Sequence, residues 1–149
     1  MLAGAGTLAV SGGAQQPPGE TIQLVSKSGT FKFIDVAPRG RGPESGGAGD
    51  QFLFSAVLTT RAGKRVGRLD ARCTITKGGA KTSGVCEGVY ALAEGDIHLL
   101  ARLKPEDDVT GAVVGGTGRY AGARGTFGSK DRPGDANGDP SDETITLLP

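Results

Sequence analysis

The sequence predicts an all-β protein, an antiparallel closed β-barrel of about eight strands. Three observations carry this expectation. Glycine supplies 27 of the 149 residues, roughly two and a half times the usual share. It is threaded through apolar, alternating segments instead of being pooled in a polar tract, which points to many turns and tightly curved strands. Short alternating runs follow one another at meander spacing, and eight or nine of them favour closure, because closure removes exposed strand edges. The two cysteines, finally, meet in register across one of the turns.

The opening MLAGAGTLAVSGGAQQPPGE is small and mildly apolar, with no basic start. It reads either as a floppy tail or as the second half of a secretory signal, with A-V-S-G-G-A near a cleavage point. Residues 1–20 are therefore set outside the fold, and 21–149 form one β-barrel domain, long enough for a single core. No run approaches about 18 apolar residues, so no transmembrane span is expected.

From Thr21 the strands read TIQLVSK and TFKFIDV, a loop PRGRGPESGGAGD, then DQFLFSAVLTT. A turn at Arg61–Lys64 leads to RVGRLDARCTITK, a second at Gly78–Lys81 to TSGVCEGVYALA, and a third at Glu94–Asp96 to IHLLARL. After KPEDD come VTGAVV, a glycine loop, RGTFGSK, an acidic loop RPGDANGDPSD and a last strand ETITLL.

A turn centred between Gly79 and Ala80 places Cys73 directly opposite Cys86. Opposed residues at a non-hydrogen-bonded site lie about 4.5 Å apart at Cα, within disulfide range. The resulting cross-strand disulfide would stabilise the hairpin by up to about 3 kcal/mol and favours an oxidising compartment, secreted or cell-envelope. Two buried free thiols are the alternative.

The same register sorts the faces. Leu69, Ala71, Cys73 and Ile75 share one face with Cys86, Gly88, Tyr90 and Leu92 and with Ile97, Leu99, Ala101 and Leu103, the expected interior. The outer face would then carry Arg72, Glu87 and Arg102 as an exposed ion-pair ladder. The inverted assignment would line a polar cavity with Arg68, Asp70, Arg72, His98 and Arg102.

Charge and motifs exclude several classes. Net charge is +1, so no global field attracts nucleic acid or an anionic membrane. Tryptophan is absent and aromatics are scarce, against a stacking platform for single strands. The basic run RAGKRVGRLDAR reads as a solvated hairpin, with an anionic-ligand site as the sharper option. His98 is the only histidine, with no second ligand for zinc and no nucleophile elbow for a triad. No metal and no cofactor are expected. In GDANGDPSDE, Asp135, Asn137 and Asp139 have calcium-loop spacing, but Pro140 replaces the turn glycine and Thr146 the bidentate acid. The stretch GTGRYA is one letter from a dinucleotide loop, yet Gly122, Gly125, Gly128 and Pro133 deny it the following helix.

With strands on both sides, GGTGRYAGARGTF resembles the glycine signature G-G-T-G-x-[YF]-x-x-A-R-G of the allene oxide cyclase and dirigent protein superfamily. The matching residues are Gly115, Gly116, Thr117, Gly118, Tyr120, Ala123, Arg124 and Gly125. Upstream, DQFLFSAVLTTRAGKRVGRLDARCTI and CEGVYALAEGDIHLLARL are similar to the family's successive hairpins, so the resemblance spans about two thirds of the chain, from Asp50 onward. It implies a barrel with a lipocalin-like cavity open at one end, in which the glycines shape a barrel turn. It also implies a small lipophilic ligand and, in some members, a cyclase or isomerase that works by holding its substrate in one conformer. Family members are often homo-oligomers. The strands nearest in character are those of secreted bacterial members. No catalytic residue can be carried over onto this sequence. Tyr90, Leu69, Leu99, Phe52 and Phe54 are the candidate ligand contacts, Tyr90 as a polar tip in an apolar cavity. The competing expectation is a non-catalytic secreted interaction module whose barrel is filled by side chains.

Overall fold

Alternating burial lays the described residues out as eight strands: β1 (Thr21–Ile34), β2 (Gln51–Thr59), β3 (Arg65–Lys77), β4 (Ser83–Leu92), β5 (Gly95–Leu103), β6 (Val109–Gly116), β7 (Gly125–Asp131) and β8 (Ser141–Leu147). The computed structural model describes residues 19–36, 38, 40, 42, 46–104, 108–132 and 140–149. Each strand pairs antiparallel with the next, and β8 pairs with β1, closing the barrel. The all-β closed barrel expected from the sequence is the observed fold.

The two runs read as separate first strands are one. TIQLVSK and TFKFIDV alternate out of phase, and the phase change is a bulge between Ser28 and Thr30. One extra residue in a strand flips the side chains beyond it to the other face. Leu24 and Ser26 therefore point inward before the bulge, while Phe31 and Phe33, paired with Phe54 and Phe52, point inward after it.

Cys73 faces Cys86 as the register required. The two form a disulfide with their Cα atoms 3.9 Å apart. The inner face is the apolar one: Leu69, Cys73, Ile75, Cys86, Tyr90, Ile97, Leu99 and Ala101 are all buried, and His98 and Arg102 are exposed on the outer face. The inverted assignment is thereby corrected. The expected three-member ladder is a pair, Arg72 with Glu87, because Arg102 lies opposite Val85 while Glu87 faces Leu100.

One end of the barrel is plugged. Leu58, Ile97 and Ile145 are completely buried there, joined by Leu24, Leu147 and, from the connection between β6 and β7, Tyr120 and Ala123. That connection holds a short 3-10 helix, Gly118–Tyr120, and is latched to the β4–β5 turn. The Thr117 amide donates to the Asp96 carbonyl at 2.9 Å, the Asp96 amide to Thr117 Oγ1 at 3.0 Å, and the Arg119 amide to the Glu94 carbonyl at 2.9 Å. The Arg119 guanidinium joins Glu94 and Glu20. The tail expected over 1–20 lies outside the described residues except for Gly19 and Glu20. The Glu20 carbonyl accepts the Leu147 amide at 2.7 Å. The calcium-like spacing at Asp135, Asn137 and Asp139 also falls outside the described residues.

The glycines of the signature differ in what they do. A Cβ on Gly125, whose φ is +156°, would sit 1.9 Å from the Thr146 carbonyl oxygen, and one on Gly116 would sit 2.4 Å from that of Tyr120. A Cβ on Gly115 would meet nothing within 4 Å. Gly125→Ala should therefore lower unfolding stability by at least about 2 kcal/mol, whereas Gly115→Ala should stay within about 0.5 kcal/mol of the parent. Urea unfolding of the two variants checks this, and equal losses would contradict it.

Candidate functional site

The interior above the plug is hollow. Small inward residues, Ala56, Ala71, Gly88 and Ala101, leave a cavity of about 380 Å³ whose walls include Phe52, Phe54, Leu69 and Leu99. That volume lies in the range of small-molecule sites. A barrel filled by side chains, the competing expectation, is not what these residues build. At the open end Phe31 stands 62% exposed with its ring 5.9 Å from that of Phe52, and Val109, which also lines the cavity, is 38% exposed.

All five expected contacts, Tyr90, Leu69, Leu99, Phe52 and Phe54, line this cavity. The structure adds a group that the sequence reading missed. Glu143, in the first half of β8, is only 2% exposed and reaches the cavity. Three hydroxyls from three other strands donate to it: Tyr90 Oη to Oε2 at 2.6 Å, and Ser26 Oγ and Ser129 Oγ to Oε1 at 2.6 and 2.8 Å. A carboxylate offers about four acceptor positions, so roughly one, on Oε2, is left for an incoming donor.

The cluster follows from pairing. Glu143 lies opposite Leu24 in β1 and Ser129 in β7, and Ser26 is the next inward residue after Leu24. Tyr90 reaches Glu143 from β4 across the barrel. Burial first, then the negative charge of Glu143 and the hydrogen bond to it, raises the Tyr90 phenol far above its ordinary value. Tyr90 is therefore a fixed hydroxyl donor that holds the carboxylate in place, and it keeps its proton at neutral pH.

The remaining sequence candidates lie elsewhere. Tyr120 is buried in the plug, its phenol also raised chiefly by burial. Arg124 is exposed, with its carbonyl accepting the Leu148 amide. Gly115, Gly116, Thr117, Gly118 and Gly125 turn the chain at the closed end, away from the cavity mouth. His98, Arg72 and Glu87 line a shallow groove on the outer wall.

No protein-family model and no curated protein matches the sequence. Solved structures do match. Pyocyanin demethylase superposes with a TM-score of 0.70 at 27% identity, over 87% of this chain and 100% of that one. A pterocarpan synthase dirigent protein gives a TM-score of 0.65 at 18% identity, over 89% and 95% of the two chains. By fold this is a dirigent-type barrel. A Diels-Alderase from Streptomyces koyangensis shares that fold with a TM-score of 0.63 at 14% identity, over 85% of this chain and 63% of its own. In this chain the signature glycines shape the connection that carries the latch at the plugged end, and the Tyr90–Glu143 cluster stands above it.

A phenol whose pKa is raised on folding stabilises the folded state fully below its unfolded value, about 10, and that contribution is lost as pH rises beyond it. Unfolding stability of this dirigent-type barrel should therefore fall above about pH 10. Tyr90→Phe should make the fall shallower, leaving the share of Tyr120. Denaturation followed from neutral to alkaline pH checks this; an identical slope in the variant would show that Tyr90 is not held as described.

Proposed function

We propose that this barrel binds a small, mainly apolar metabolite, directs its hydrogen-bond donor or electron-poor end to Glu143, and holds it in one reactive conformation. The observation that carries the reading is the pairing of an apolar cavity of about 380 Å³ with one buried carboxylate fixed by three hydroxyls. Burying a polar cluster at the base of an apolar chamber costs stability unless it is satisfied. Here it is satisfied with one acceptor position to spare, the arrangement that orients a ligand by one end while the walls set its shape.

Two effects follow for a reacting ligand. The aromatic and aliphatic walls restrict its conformers, so an intramolecular ring closure or a coupling proceeds from a prepared geometry. The carboxylate is already oriented by Tyr90, Ser26 and Ser129, so positive charge developing near it is stabilised without reorganisation. The substrate is one that reacts by cyclisation, cycloaddition or stereoselective coupling, and the activity is that of a cyclase or isomerase. Support comes from barrels of the same fold that serve as a pterocarpan synthase and a Diels-Alderase. The Cys73–Cys86 disulfide supports an oxidising compartment, secreted or at the cell envelope.

Native mass spectrometry of the non-reduced protein, as purified and after exposure to polyenes, fatty acids and phenols, tests the reading. A retained apolar mass is expected, lost when Ala71→Phe fills the chamber. Tyr90→Phe should weaken retention about fivefold, because the carboxylate loses one of the three bonds that hold it, with the fold intact. A protein that retains no member of the panel would return the barrel to the role of a non-catalytic interaction module.

A further inference from the structure

The disulfide is part of the cavity wall. Cys73 and Cys86 both line the chamber, and they are only 6% and 9% exposed. On the inner surface they sit between Phe52, paired with Cys73, and Ala101, paired with Cys86. Their outer side is the hydrogen-bonded backbone of β3 and β4, with the Arg72–Glu87 pair next to it. A closed sheet leaves no gap through its wall for a molecule the size of a thiol reagent, so any reagent reaching sulfur in the folded protein arrives through the chamber. The disulfide stands four residues along β4 from Tyr90, about 13 Å at the usual strand rise, and on the side of the open mouth.

We infer that Cys73–Cys86 is a thiol-exchange site reached through the cavity, which takes small apolar thiols and excludes polar ones. In the step, the sulfur of an incoming thiolate attacks one Sγ in line with the S–S bond. A new disulfide forms between that cysteine and the incoming sulfur as the Cys73–Cys86 bond breaks. The other cysteine leaves as a thiolate and takes a proton from water. One disulfide is consumed and one is made, so no external oxidant or reductant is required. Selectivity comes from the route. An aryl-methyl thiol carries its single charge on the attacking sulfur and slides its ring along Phe52 and Phe54. Glutathione must bring ionised carboxylates and an ammonium past the same apolar wall, at the cost of desolvating them. The inference shares the chamber with the proposed function but does not depend on any metabolite.

The test exposes the intact, folded, oxidised chain to phenylmethanethiol or glutathione at equal thiolate concentration, with mass spectrometry of the alkylated products reading adduct and freed thiol together. The same pair of thiols acting on the chain unfolded in denaturant supplies the intrinsic ratio. Exchange with phenylmethanethiol is expected to exceed that with glutathione by about tenfold or more in the folded protein, beyond the ratio in the unfolded one. Equal suppression of both thiols on folding would mean that sulfur is reached only by unfolding and would overturn the inference, as would the absence of any adduct.

A second arm adds the neutral fluorophore N-phenyl-1-naphthylamine. If its fluorescence reports binding and exchange slows in proportion, the shared route is supported. If it binds and exchange is unchanged, the route through the chamber is wrong. Should this probe and the apolar panel all fail to bind while exchange stays selective, the proposed function fails and the exchange site stands.

Discussion

The hydrogen bonding of β1 to β8 is the constraint on which the rest of this structure depends. It joins the two ends of the described chain, from Thr21 opposite Thr146 to Ser26 opposite Ser141, and it turns an eight-stranded ribbon into a chamber with no free edge. It also assembles the polar cluster. Ser26 and Glu143 are 117 positions apart in sequence, yet they share a 2.6 Å hydrogen bond because closure makes β1 and β8 neighbours. An open sheet built from the same strands would have neither the enclosed volume nor a buried carboxylate with three donors.

The two ends of the barrel use different chemistry for different purposes. The closed end is built from close backbone approach, with glycines at positions where a methyl group would strike a carbonyl oxygen and large aliphatic side chains filling the centre. The middle is hollow because its inward residues are small, and the mouth is rimmed by aromatic and aliphatic surface. Near the mouth, Asp50 binds a connecting segment to the barrel. Its carboxylate accepts the Val36 and Gly47 amides at 2.8 and 2.6 Å, while its own carbonyl accepts the amide of Ile75.

Much of this architecture was legible in the sequence because period and register are local. Four consecutive strands alternate cleanly, and one turn position sufficed to place Cys73 opposite Cys86. Where the reading failed, the information was distributed or masked. The two halves of β1 looked like separate strands because a bulge at Gly29 inverts their phase, and only pairing with β2 shows that they are continuous. Glu143 was passed over because it follows an acidic loop and looks like the last of its charges. The signal was nevertheless present: Glu143, Ile145 and Leu147 fall on one face of ETITLL, with Thr144 and Thr146 on the other, so a carboxylate shares the face of two core residues. The three hydroxyls that make this burial tolerable come from β1, β4 and β7, and no local pattern announces them.

A chamber plugged at one end, with a buried carboxylate in its depths, would give its contents a heading. A guest of the proposed kind would meet Phe31 and Phe52 first and Glu143 last, so the portion that can donate a hydrogen bond would lead and the greasy remainder would trail. Anything transformed inside would have to back out the way it came, hydrophobic portion foremost. Under the proposed function, a product that had lost its donor would also lose its hold on the floor, and turnover and departure would be linked by the shape of a cul-de-sac.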